Sequence, residues 1–246
     1  MKKAIRRHLF LILSFAMIFT TMGTTFAQEK KIQDSAELSY VQTGGNTDIM
    51  TFSGNNTLKY GFSEKWAGSW VVGILYGETD GVNNAERYNT DLRTDYTASD
   101  TLYYYAQGGW LRDKFSGIDN RLYLGPGAGC KLLAGDRQNL SVEAGLNYAK
   151  EMYTDDTDNN FLEGRVLGKY EFVFDPKTKF TQTVEYLQNF DDGTKFRINA
   201  VSGLTTKLTD MFSLKTSYEI NFQNEPTPDT LNQTDTLFSV ALVVNF

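Results

Sequence analysis

The sequence predicts an all-β chain, an antiparallel transmembrane β-barrel of about twelve strands with both termini on the periplasmic side. Three observations predict it. From Ser35 onward one residue parity is large and apolar while the other is small or polar, in segments of about ten residues or more. The connections alternate between compact turns and mostly longer, acidic loops. Aromatic side chains collect towards both ends of the apolar parity, as rings do at the two interfaces of a bilayer.

The segments lie near 35–43, 49–62, 66–77, 86–97, 101–112, 119–132, 139–151, 161–174, 179–190, 195–208, 212–223 and 234–246. Ten or fourteen strands result if a weak segment is split or missed. In the third segment Trp66, Trp70, Val72, Ile74 and Tyr76 oppose Ala67, Ser69, Gly73 and Gly77. In the fourth, Tyr88, Leu92 and Tyr96 face one way, and Arg87, Asn89, Asp91, Arg93 and Asp95 the other. In the eleventh, Phe212, Leu214, Tyr218, Ile220 and Phe222 alternate with Ser213, Lys215, Ser217, Glu219 and Asn221. The twelfth, LFSVALVVNF, sets Phe238, Val240, Leu242, Val244 and Phe246 against Ser239, Ala241 and Asn245. It is expected to close the barrel by pairing near Ala36 to Tyr40, with Phe246 as an assembly signal. Alternation alone fits a soluble sandwich equally well, because one sheet face there packs on a core.

The connections separate the two. Ser63 to Lys65, Thr97 to Asp100, Leu133 to Gln138, Asp175 to Thr178 and Thr209 to Met211 are compact. Glu78 to Asn84, Asp113 to Ile118, Met152 to Asn160 and Asn224 to Gln233 are longer and polar, with Gly44 to Asp48 and Asp191 to Gly193 as shorter exceptions. Short turns on one side and longer loops on the other mark an outer-membrane barrel.

Residues 1–27 carry a basic start, MKKAIRRH, an apolar run and a small-residue cleavage site ending at Ala27, the pattern of a secretory signal peptide ahead of a 28–246 barrel domain. Its removal takes away Lys2, Lys3, Arg6 and Arg7 and no acid, so the formal charge of −6 becomes −10. So acidic a chain argues against nucleic acid as a partner. The lone Cys130 excludes an internal disulfide and reads as a small lipid-facing residue.

The chemistry is mostly negative. The only histidine is His8, so the 28–246 domain lacks the proton carrier of serine–histidine catalysis and any histidine metal ligand. No catalytic, metal or cofactor residue is assigned, and a non-enzyme is expected. The lumen-lining candidates are Arg87, Asp91, Arg93, Arg121, Glu143, Glu163, Arg165, Lys169, Glu185, Arg197, Lys215 and Glu219. Such a mixed ladder serves cross-strand pairing or lines a narrow solute path. Asp155, Asp156 and Asp158 form an acidic loop whose spacing matches no complete calcium loop. Gly125, Gly127 and Gly129 sit in a strand pattern with no following helix, so they relieve crowding rather than cradle a phosphate.

Two stretches, SAELSYVQTGGNTD at 35–48 and DNRLYLGPGAGCKLLAGDRQNLSVEAGLNYAKE at 119–151, resemble the outer-membrane barrel family of unknown function typified by the salt-induced protein YdiY. Thr43-Gly44-Gly45-Asn46-Thr47 has one glycine more than the family's turn. The resemblance implies a Gram-negative outer-membrane location and a salt or osmotic connection, and no established activity. The expected role is envelope integrity or passage of small solutes or ions. The alternative is surface recognition of ions, lipopolysaccharide or a partner through acidic loops. Expected partners are outer-membrane lipid and lipopolysaccharide, the barrel assembly machinery, and small solutes or ions.

Overall fold

In the computed structural model, which describes residues 32–43 and 49–246, the alternating segments form twelve antiparallel strands. They are β1 Ile32–Thr43, β2 Ile49–Gly61, β3 Trp66–Thr79, β4 Val82–Thr97, β5 Leu102–Asp113, β6 Ile118–Ala134, β7 Gln138–Tyr153, β8 Asp158–Val173, β9 Thr178–Asn189, β10 Phe196–Lys207, β11 Phe212–Gln223 and β12 Thr234–Asn245. Each pairs with its chain neighbours, and β12 returns to β1 to close the ring. Closure leaves no open edge, which lets strands cross hydrocarbon with their backbone groups satisfied. The signal peptide expected at 1–27 and the Gly44 to Asp48 turn lie outside the described residues.

The apolar parity faces outward. Along β12, Phe238, Val240 and Leu242 are exposed at 64, 45 and 42%, while the intervening Ala241 and Val243 are buried. The outer wall carries paired rings at both ends. Tyr60 packs on Phe62, Trp66 on Tyr96 and Phe172 on Phe174 near the turn end, and Phe196 sits between Tyr186 and Phe222 near the loop end.

Short polar side chains close the turns. Ser63 Oγ accepts from the Trp66 N–H at 3.2 Å, Ser99 Oγ from Leu102 at 3.0 Å, Asp175 Oδ1 from Thr178 at 3.0 Å and Thr209 Oγ1 from Phe212 at 3.0 Å. Such bonds substitute for the ladder bonds lost where a chain reverses.

The loop end departs from expectation. The strands run on through most of the expected loops at 78–84 and 152–160, leaving only Asp80–Gly81 between β3 and β4 and 154–157 between β7 and β8. Both Asp80 and Gly81 have positive φ (50° and 80°), the requirement of a two-residue hairpin turn that follows strand twist. The cause is length. β3, β4, β7 and β8 have 14 to 16 residues, whereas about 9–11 cross a bilayer. Beyond the apolar band neither face needs to be apolar, so alternation fades while pairing continues, as at Glu78↔Asn83 and Met152↔Asp158.

The seam also differs. β1 pairs with β12 over Ser35 to Leu38 against Asn245 to Leu242, lower than the expected Ala36 to Tyr40. β1 pairs with β2 along its whole length, from Ile32↔Tyr60 to Thr43↔Ile49.

Candidate functional site: the ionic lumen

Inside the ring, charge takes the place that apolar side chains hold in a soluble core. Glu143, Glu151 and Glu163 are the largest fully buried side chains, at 1, 0 and 2% exposure. Buried charge requires paired, hydrogen-bonded partners. The inward faces of β4 to β11 supply them in three clusters.

Nearest the turn end, Glu143 of β7 accepts from Arg93 Nη1 at 2.8 Å, Arg165 Nη1 at 3.0 Å, Lys169 Nζ at 3.0 Å and the Tyr103 hydroxyl at 3.0 Å. Arg93 also holds Asp95 at 2.7 Å, and Arg165 holds Glu185 at 2.7 Å. Tyr105 lies under these guanidiniums. Its ring centroid is 4.0 Å from Arg93 and 5.7 Å from Arg165, and its hydroxyl accepts from Arg165 at 2.9 Å. This geometry favours a cation over the ring face.

Deeper towards the loops, Arg121 is clamped between Glu151 and Glu163, the latter at 2.8 Å. Glu151 also takes Arg197 Nη2 and the Tyr153 hydroxyl, each at 2.7 Å, and Glu163 takes Asn147 at 3.1 Å. The third cluster crosses the lumen. Arg87 of β4 binds Asp113 of β5 and Glu219 of β11, each at 2.5 Å, and β4 and β11 stand on well-separated walls of the ring. Above it the 3-10 turn Lys114–Ser116 reaches the far wall. Ser116 Oγ donates to Asp235 at 3.0 Å, and Gln223 donates to the Ser116 carbonyl at 3.1 Å.

All twelve sequence-derived lumen candidates take part in this bonding. Asp91 accepts from the Tyr123 hydroxyl and, at 2.9 Å, from Asn89. Lys215 donates to Glu37 at 2.8 Å. Phe246 stands apart at the turn end, 59% exposed and with its N–H bonded to the Asp34 carbonyl at 3.0 Å. Cys130 is a free, half-buried cysteine.

Sequence reasoning placed Asp95 on the polar parity without counting it among the candidates, and omitted Glu37, Asp113 and Glu151, together with Tyr103, Tyr105, Tyr123 and Tyr153. All share the odd parity of the candidates, so parity extended to the strand ends and applied to tyrosine would have found them. Asp155 in the acidic loop bonds locally instead. Its Oδ1 accepts the Thr157 N–H at 3.0 Å and the Thr157 hydroxyl at 2.5 Å, which holds the Asp155 carboxyl below its ordinary pKa. Among the described residues no group of three or more His, Cys, Asp or Glu is placed to hold a metal ion.

The glycine-rich run of β6 makes room for the tyrosines of β5. A Cβ on Gly127 would land on the Tyr105 ring, and one on Gly129 on the Tyr103 ring. Pro126 lacks an N–H, and the β6–β7 register has no pair at Gly125 or Pro126, between Leu124↔Tyr148 and Gly127↔Gly145. Gly127→Ala is therefore expected to cost about 1–3 kcal/mol by overpacking. A Tyr105→Ala background should make the same change nearly neutral, a difference that denaturant titration of the refolded barrel can measure.

A closed antiparallel ring, apolar outside between two aromatic belts and ionic within, is an outer-membrane β-barrel. The chain belongs to the family described as protein of unknown function, DUF481, which matches residues 36–246. It is 25% identical over 231 residues to the uncharacterized protein YdiY of Escherichia coli (strain K12), covering 92% of this chain and 87% of YdiY. Among solved structures it is similar to the NanC porin, with a TM-score of 0.52 and 10% identity, covering 87% of this chain and 97% of the porin. It is also similar to the KdgM porin (TM-score 0.50, 10% identity, 87% and 99% covered). An outer membrane channel from Pseudomonas putida F1 is similar as well (TM-score 0.52, 10% identity, 91% and 100% covered). At these identities the likeness is one of fold.

Proposed function

We propose that the protein is a non-enzymatic outer-membrane barrel, its turn end in the periplasm, that passes small polar solutes or ions through a narrow, off-centre path. One observation carries this reading, the asymmetry of the lumen. The β5 to β9 wall holds the buried arginines, glutamates and tyrosines. The inward faces of β11, β12 and β1 to β3 carry mostly small side chains, with Glu37, Lys59, Lys215 and Glu219 among the larger charged ones; the small ones include Ser39 opposite Ser53, Asn55 opposite Gly73, and Ser217 bonded to Ser239 at 2.7 Å. Hydroxyl and amide groups there offer a passing solute exchangeable hydrogen bonds, while the Arg87–Glu219 bridge narrows the section. The porin and channel folds it is similar to support the same reading.

Planar-bilayer recording on refolded protein tests it. Ser53→Trp and Ser239→Trp should each cut single-channel conductance by about half or more, and Arg87→Ala should raise it, since local bore and charge govern flux. Absence of conductance from folded, heat-modifiable protein would leave a structural role in the envelope.

A further inference from the structure

The interior is not dry along its whole length. Five lysines occupy the inward parity at the turn end: Lys59 of β2, Lys131 of β6, Lys169 of β8, Lys179 of β9 and Lys207 of β10. All five are exposed, the Lys169 and Lys179 side chains at 46 and 48%, whereas Glu143, bonded to Lys169, is at 1%. Inward-facing residues exposed to this degree mean that the turn end of the lumen is a water-filled vestibule, floored by the Glu143 cluster.

The charge of its inward face is unbalanced. Each inward-facing carboxylate at this end already has a cation: Glu143 holds Lys169 at 3.0 Å, Glu171 holds Lys179 at 2.9 Å, Asp95 holds Arg93 at 2.7 Å, and Glu37 holds Lys215 at 2.8 Å. Among the described residues no ion pair within 4.0 Å engages Lys59, Lys131 or Lys207. All five project inward from the same end of one closed ring of twelve strands. Like charges held together between low-dielectric walls focus a positive potential on the space between them.

We propose that this vestibule is a binding site for a small multivalent anion bearing phosphate or carboxylate groups. Lys59, Lys131 and Lys207 would provide free ammonium donors, with Lys169 and Lys179 able to share theirs. Ammonium groups on flexible stems suit an anion of several oxygens whose geometry is not planar. The site does not depend on whether the lumen conducts, so binding and conductance can fail separately.

Isothermal titration of the refolded full barrel in a zwitterionic detergent, with inorganic tripolyphosphate and with citrate as probes, tests the proposal. Binding that weakens as salt rises is expected. The triple variant Lys59→Gln, Lys131→Gln, Lys207→Gln should lose about tenfold or more, from several modest charge contacts removed together. The matching triple arginine variant should retain binding, and Lys150→Gln on the outer wall should change nothing. Tighter binding of tripolyphosphate than of citrate points to phosphate-bearing ligands, and the reverse to carboxylates. No binding of either probe by wild-type protein, or equal binding by a glutamine variant that still shows heat-modifiable migration, would overturn the proposal.

Discussion

Replacing Glu143 by alanine is expected to destabilise the barrel by about 3–5 kcal/mol, the usual result of removing one partner from a buried ion pair. The carboxylate is 1% exposed and receives Arg93, Arg165, Lys169 and the Tyr103 hydroxyl. Without it the guanidiniums of Arg93 and Arg165 remain side by side over the Tyr105 ring, each with one carboxylate fewer and little access to water. Glu171→Ala supplies the contrast. That carboxylate is 32% exposed and its partner Lys179 48%, so its loss should cost about 0–1 kcal/mol. Urea unfolding of both variants in detergent, followed by tryptophan fluorescence, separates the cases. Equal costs would show that the Glu143 cluster is hydrated and not a structural core.

The second large effect is on the outer wall. Val240 lies midway along β12 and is 45% exposed towards lipid, so Val240→Arg should cost about 2–4 kcal/mol, as arginine does near a bilayer midplane. Its neighbour Ser239 turns inward to Ser217. Ser239→Arg should therefore be milder, because the polar lumen can solvate the added charge. Heat-modifiable migration after refolding into vesicles compares the two. Similar losses would contradict the assignment of faces along this strand.

Much of this architecture is legible in the sequence because a membrane barrel enforces one rule on every strand. Lipid outside and water or ions inside repeat the alternation of β12 around the ring, and the twelve lumen candidates followed from parity alone. Position within the lumen is not legible in the same way. That Arg87 meets Glu219, or Arg197 meets Glu151, depends on the barrel's curvature bringing distant strands together. The loop end misled for a related reason. Above the apolar band the strands at Glu78 and Met152 keep pairing without any hydrophobic demand, so the sequence there looks like loop. The glycines of β6 were legible as relief of crowding, yet the rings they admit, Tyr103 and Tyr105, are identified only by the β5–β6 register.

The short seam has a consequence for how the ring is completed. Eleven ladders join strands adjacent in the chain, so each hairpin closes a small loop. The twelfth must bring Ser35 to Asn245, the largest sequence separation of any ladder, and it gains only the four pairs from Ser35 to Leu38 in return. Entropy is highest and hydrogen bonding least at the same place. The wall is therefore a curled sheet that becomes a cylinder in its last step, and β1 and β12 are where that cylinder is most easily undone.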